Sequence, residues 1–433
     1  MKEKRGTPQS LFRPDGPLED RMSAAGTPGT GPLSTAEIIS LCDSHLLKNV
    51  GRLPLALVKG KGLKVWDAEG REYLDFIAGI ATCAFGHSPD FMAETLERQA
   101  RTLVHVSNLF YNEPLARLAE LLTRASGLDR AFFSNSGAEA NECALKMARK
   151  YGSERSGGKR FRIVSAMNSF HGRTMGAISI TGQHSLHDGF HPLLPGIAFV
   201  PFGDLDELDR AVDESVCCVF LEPIQGEGGV EPAPPGYLKK AAEIARKRGA
   251  LFVLDEVQTG LGRTGTDFAF RHFDVAPDIM TLGKALGSGF PVAATLCTEE
   301  AGLALGPGSH STTLGGAPLA MAVALDLATR ILDEGFLKSV ADTGRYFLEK
   351  LKGLAEALPG TVQEARGIGL MLGLKLKVPA GPVVSKLLAR GFIVNATAGT
   401  VLRFVPPLTV THAEIDLLCQ ALNETLAEEK PAG

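Results

Sequence analysis

The sequence predicts an α/β fold: a large domain on a mainly parallel sheet flanked by helices, with a smaller α/β lobe assembled from both ends of the chain. Three observations lead there. From residue 113 to 316, apolar runs of strand length alternate with helical stretches, the order of a parallel sheet covered on both faces. The flanking segments differ in character, with hairpin-like alternation before this run and helices over a short sheet after it. Finally, 433 residues at 44% hydrophobic and 22% charged are enough for more than one domain with a deep core, and match neither disordered nor membrane composition.

Composition also narrows the partners. No uninterrupted apolar stretch reaches membrane-spanning length. A net charge of −4 and the lack of a basic stripe interleaved with aromatics give no reason to expect nucleic acid. Small molecules and other copies of the chain remain. The seven cysteines, at positions 42, 83, 143, 217, 218, 297 and 419, contain no CxxC and no zinc-type spacing. No metal site is therefore expected, and a reducing compartment such as the cytoplasm is. Cys217 and Cys218, inside VCCVFLEP, read as packed strand residues.

In chain order, residues 1–33 hold five prolines and five glycines with little periodicity, and read as a disordered extension with no secretory signal core. Glu3, Asp15, Glu19 and Asp20 fit a mitochondrial transit peptide poorly. Residues 34–112 are expected to form an N-terminal lobe. It starts with a helix capped by Ser34 or Thr35, followed by LALVKGKGLKVWDAEGREYLDF, whose alternation implies hairpin turns at Gly60-Lys61 and Glu69-Gly70. The large domain, 113–316, offers strands at 130–134, 161–166, 196–202, 216–222, 251–256, 278–283 and 291–297. Helices such as EANECALKMARKYG and GYLKKAAEIARKRG lie between them, the second ending in a glycine where a helix stop belongs. Residues 317–433 form a third region. It reads as two long helices to about 357, EARGIGLMLGLKL, a helix near 382–391, GFIVNA, VLRFV, and a last helix from Thr411.

Chemistry concentrates in a few stretches. LFVLDE, 251–256, and DIMTLGK, 278–284, are two apolar runs ending in charge, so Asp255 and Lys284 can face one crevice at the carboxyl ends of the strands. On these two residues alone, an ion pair at a sheet edge and a catalytic pair are equally good readings. In SNSGAEANECALK, small residues between a strand and a helix make a cup for phosphate, or an ordinary capped turn. SFHGRT offers Phe170 to a planar ring and Arg173 to a carboxylate; His171 receives no role. LEPIQGEGG carries Glu222 and Glu227, for which a nearby arginine is expected if either points inward. Ser311, Thr312 and Thr313 are turn residues or phosphate ligands, and Arg403 in the apolar VLRFVPPL either snorkels or meets an anion. A buried aspartate can pair with a protonated ring nitrogen, and a lysine of lowered pKa can condense with a carbonyl. With an anion cup, these are what pyridoxal phosphate requires.

Together, SGAEANE, FHGRT, EPIQGEGG, LDEVQTGLGRTG and TLGKALG occur in order, and the stretch from about 35 to 428 resembles the class III aminotransferases, most closely their acetylornithine branch. The resemblance implies fold type I and pyridoxal 5′-phosphate as cofactor. It gives Lys284 the covalent link to the cofactor and the proton transfer, Asp255 the ring nitrogen, Gln258 the phenolic oxygen and Phe170 the ring face. Gly137 and Ala138, with Ser136 close by, would hold the phosphate, which Thr313 of the neighbouring subunit also reaches, so a homodimer with shared sites is implied. For substrates, Arg173 would hold the carboxylate farthest from the reacting nitrogen and Arg403 the α-carboxylate of glutamate or 2-oxoglutarate. Glu227 would neutralise Arg403 while the amino donor is bound, and Ser107 and Asn108 would contact an acylated amine. The implied reaction moves the terminal amino group of N-acetylornithine to 2-oxoglutarate in arginine biosynthesis. Alternatives are ornithine, succinylornithine, succinyldiaminopimelate, 4-aminobutyrate or a lysine-pathway substrate, and, from another class, a non-catalytic regulator. Leu314, Ala317 and an alanine in SGAEANE depart from common family residues.

Overall fold

The computed structural model describes residues 31–429, so the expectation for residues 1–33 lies, up to residue 30, outside the described residues. The chain divides into two units, the first reaching as far as Val58 and taking in Trp66–Arg71, the second made of Lys59–Val65 and the chain from Glu72 on. In the first unit, Ser34 and Glu37 form a capping box at the start of the helix Thr35–His45, and the Thr35 N–H donates to Glu69 at 2.9 Å. Next along the chain come short strands at Leu57–Lys61 and Lys64–Asp67, which straddle the division, and at Glu72–Asp75, which belongs to the second unit. The first turn falls at Gly62, which takes a φ of +60°, and not at Gly60-Lys61, through which the strand continues. The turn at Glu69-Gly70 lies where the sequence puts it.

The second unit is built on a seven-stranded sheet. Its strands are β1 (Arg130–Ser134), β2 (Arg162–Ala166), β3 (Ile197–Val200), β4 (Val216–Leu221), β5 (Leu251–Asp255), β6 (Ile279–Leu282) and β7 (Ala293–Cys297), in the spatial order β1-β7-β6-β5-β4-β2-β3. β2 to β6 pair in parallel, while β7 runs antiparallel to both β6 and β1. The reversal has a simple cause. Only the residues between Leu282 and Ala293 connect β6 to β7, fewer than a parallel crossover needs. β4, β5 and β6 are buried throughout, which explains apolar runs without alternation. Cys217 and Cys218 are fully buried in β4.

Helices Gly137–Ser156 and Tyr237–Lys247 pack on this sheet. Past the helices Pro318–Ile331 and Glu334–Ala357, a four-stranded antiparallel sheet is formed by β8 (Val362–Ile368), β9 (Met371–Leu376), β10 (Asn395–Thr397) and β11 (Val401–Phe404), ordered β8-β9-β11-β10. Phe392–Ile393 instead pairs in parallel with Leu74 and Asp75, joining the two ends of the chain in one sheet. Among the described residues, no helix is long and apolar enough to cross a membrane, and no group of three or more His, Cys, Asp or Glu side chains could hold a metal.

Candidate active site

β5 and β6 lie side by side near the middle of the large sheet, with Asp255 in register with Thr281. Lys284 comes three residues after Thr281, so both charges emerge at the carboxyl ends of adjacent parallel strands. A cavity of about 320 Å³ opens at that edge, and both residues line it.

Asp255 is 5% exposed and held from two sides. Its Oδ2 accepts from His171 Nδ1 and Asn141 Nδ2, each at 2.8 Å, and its Oδ1 accepts from the Val257 N–H at 2.9 Å. Asn141 is oriented in turn by the Thr281 hydroxyl at 2.7 Å, and the His171 N–H donates to Thr181 at 2.9 Å. Lys284 adopts a φ of +39°, in the left-handed region that costs a residue with a side chain about 1 kcal/mol or more. Its side chain lines the cavity, and burial lowers its pKa, with Asp255 and then Glu227 acting in the opposite sense.

The two glutamates of LEPIQGEGG part company. Glu222 points inward, but among the described residues no arginine meets it; it accepts the N–H groups of Phe170 at 3.1 Å and Gly226 at 3.3 Å. The expected arginine partner is thus replaced by backbone donors, which leave burial uncompensated, so burial and the nearby Asp255 push its pKa well up. Glu227 has the arginine. Its Oε1 lies 2.5 Å from Nη1 of Arg403, which is 1% exposed and whose Nε also donates to Asn395 at 3.3 Å. Glu227 lines the cavity and Arg403 stands behind it.

The strand-to-helix turn supplies an anion cup. Gly137 and Ala138 line the cavity at the start of a twenty-residue helix, whose first N–H groups have no intrahelical acceptor. A Cβ on Gly137 would sit 2.6 Å from Val257 Cγ1, so only glycine lets the turn close against the loop after β5. Ser136 is exposed, does not line the cavity, and caps the helix by accepting the Glu139 N–H at 3.3 Å. Phe170, Gln258 and Arg173 line the cavity, Arg173 exposed and 5.6 Å from the Phe170 ring centre. Thr313, Ser107 and Asn108 do not join them. They share a separate surface depression of about 650 Å³, where Asn108 donates to the Thr312 carbonyl at 2.7 Å. Sequence reasoning missed Asn141 and gave His171 no role. The available signal was spacing, since Asn141 lies one helical turn beyond Gly137 on the same face.

The aminotransferase class-III family matches residues 47–426. The chain belongs to the class III aminotransferases. The acetylornithine aminotransferase of Caldanaerobacter subterraneus subsp. tengcongensis is 47% identical over 385 residues, covering 89% of this chain and 98% of that protein. Among solved structures, the ornithine aminotransferase from Toxoplasma gondii superposes with a TM-score of 0.88 at 32% identity, covering 96% of this chain and 99% of that one. The acetylornithine aminotransferase from Elizabethkingia anophelis does so with a TM-score of 0.81 at 31% identity, covering 92% and 100%. Class III aminotransferases use pyridoxal 5′-phosphate, and the cavity fits it. Among the described residues the carboxamide oxygen of Gln258 is buried without a partner, Lys284 is a cavity-lining amine of lowered pKa, and the Gly137 turn opens a helix whose first N–H groups have no intrahelical acceptor.

Proposed function

We propose that this class III aminotransferase moves the terminal amino group of N2-acetylornithine to 2-oxoglutarate, giving N-acetylglutamate 5-semialdehyde and glutamate, as a cytoplasmic step of arginine biosynthesis. The observation that carries the reading is the Glu227–Arg403 pair at the wall of the Lys284 cavity. A reaction that takes first an amino donor and then a dicarboxylate needs a cation that can be covered and uncovered. Arg403 is buried and charged, and its single carboxylate partner among the described residues is on a loop. With Glu227 in place the wall is neutral, and the donor lies with its acylated end toward exposed Arg173. With Glu227 turned away, the α-carboxylate of 2-oxoglutarate takes its position on Arg403 by a charge-assisted pair.

The other cavity residues fall into consistent roles. Bound pyridoxal 5′-phosphate supplies an aldehyde carbon for the amino group and a ring that draws electrons from the substrate carbon. Gly137 and Ala138 would hold its phosphate, Phe170 would pack on the ring, Gln258 would take the phenolic oxygen, and Asp255 would keep a proton at the ring nitrogen. Lys284 Nζ, hindered by burial from holding a charge, would hold the aldehyde carbon covalently and, once the incoming amino group has displaced it, would take the proton from the substrate carbon.

Thr313, Ser107 and Asn108 belong to the same chemistry only through a second copy of the chain, so the working unit is a homodimer with shared sites. Leu109 and Tyr111, next to the Ser107-Asn108 loop, are 85% and 104% exposed, as expected of a face that another copy covers. The acetylornithine relatives favour the acylated donor. Ornithine is the second reading, favoured by the high TM-score of an ornithine aminotransferase. A panel of amino donors with 2-oxoglutarate, compared by kcat/KM, decides between them: N-acetylornithine is expected to lead, and a panel led by ornithine or 4-aminobutyrate overturns the assignment.

A further inference from the structure

The sheet face that carries Arg403 carries a second arginine. Across β8, β9, β11 and β10, Arg366, Gly373, Arg403 and Asn395 stand in register and form one row, so their side chains share a face. The loop from Gly226 to Val230, which bears Glu227, lies on that row. A Cβ on Gly373 would be 3.1 Å from Val230 Cβ, so the glycine makes room for the loop between the two arginines. Arg366 donates to the Gly229 carbonyl through Nε at 3.2 Å and Nη2 at 2.8 Å. The Thr397 hydroxyl, two residues beyond Asn395 and 6% exposed, donates to the Glu227 carbonyl. The two arginines are loaded differently. Arg366 meets Glu231 and Glu364, each at 2.7 Å, whereas Arg403 has only the Glu227 carboxylate among the described residues.

We propose that Thr397 and Arg366 are positioning residues that clamp the loop backbone to this sheet, so that the exchange of charge at Arg403 is made by the Glu227 side chain alone. The proposal rests on the Glu227–Arg403 exchange described above. The physical ground is the difference between two ways of opening. Lifting the whole loop would strip the Glu227 and Gly229 carbonyls of their donors. Turning one side chain breaks one ion pair, which the incoming carboxylate replaces. Because Arg366 already has two carboxylates, it neither captures Glu227 nor competes for the substrate. Without the clamp, Glu227 is no longer preset on Arg403. The uncovered cation then disfavours the donor and favours any dicarboxylate.

The test uses the holoenzyme and two readouts: KM and kcat for N-acetylornithine, and the affinity for glutarate, a five-carbon dicarboxylate without a reacting carbonyl, by calorimetry. Thr397→Val is expected to raise the donor KM and to tighten glutarate, each by about fivefold, the scale of one buried hydrogen bond. It should change kcat much less, and Thr397→Ser should restore both values. Arg366→Gln should move both readouts in the same direction, and stands in if Thr397→Val does not fold. Glu227→Gln is the reference for the exchange itself. If Glu227→Gln shifts the ratio of donor to glutarate while the Thr397 and Arg366 variants leave it as in wild type, the clamp is wrong and the exchange stands. If Glu227→Gln leaves the ratio unchanged, the exchange fails and the clamp with it. Equal losses for both ligands in the Thr397 and Arg366 variants also overturn the clamp.

Discussion

Asp255 spends most of its hydrogen-bonding capacity on the protein. A carboxylate has about four acceptor positions, and His171, Asn141 and Val257 fill three of them. One direction is left, toward the cavity. That arrangement fixes the carboxylate without occupying it, which suits the proposed contact with a ring nitrogen. Lys284, across the cavity, is governed by desolvation. Burial penalises its charged form, so the neutral amine is populated at a lower pH than the ordinary lysine value of 10.5 allows. Capture of pyridoxal phosphate by the apoenzyme should therefore rise with pH and reach half its limiting rate below 10.5; a midpoint at or above that value, followed by absorbance, would remove the argument. At this scale the sequence exposes charge but not its company. Asp255, Lys284 and Arg403 are legible because each interrupts or ends an apolar run. Asn141 and His171 are not, because what makes them useful is a hydrogen bond to a residue more than eighty positions away.

Elements place these residues through their ends. β5 and β6 bring Asp255 and Lys284 out at one edge, and the helix Gly137–Ser156 points its N-terminus at the same cavity. One close joint is between that helix and the loop after β5, where the Gly137 Cα faces Val257. Gly137→Ala would place a Cβ 2.6 Å from Val257 Cγ1, so the helix start or the loop must shift by roughly an ångström. The expected result is an apparent Kd for pyridoxal phosphate at least about tenfold weaker, the effect of displacing the phosphate donors, with the far-ultraviolet spectrum of the fold retained. Affinity equal to that of wild type would show that the cup tolerates the shift. The strands of the large sheet were readable to within two residues, since buried apolar runs follow directly from which faces meet water, whereas the helix read at 139–152 runs on to Ser156, and the helices Asp90–Thr102 and Glu113–Ser126 were not read at all. Strand direction was not readable. That β7 runs against its neighbours depends on the length of the connection from β6, and the first hairpin turn depends on which glycine takes a positive φ, Gly62 rather than Gly60.

For the whole molecule, the decisive fact is a separation. Most residues that the motif resemblance assigns to one active site fall, within a single chain, into two places: the Lys284 cavity, with Arg403 behind its wall, and the depression holding Ser107, Asn108 and Thr313, while Ser136 lines neither. Either the second group has no part in the site, or it serves the site of another copy. Sequence order cannot choose, because both groups lie among motifs of the same family. Subunit mixing can. Lys284→Ala removes the reacting amine from its own cavity, and Thr313→Asp sets a carboxylate where the partner's phosphate would bind. Each variant alone should be inactive. If sites are shared, a hybrid of the two has one site with both defects and one with neither. Equal amounts brought to exchange give about half hybrids, each with one intact site of two, so activity should recover to about a quarter of the wild-type value. If Thr313 serves its own cavity, every site in every hybrid carries one defect, and verified exchange without recovery of activity would sink the shared-site dimer.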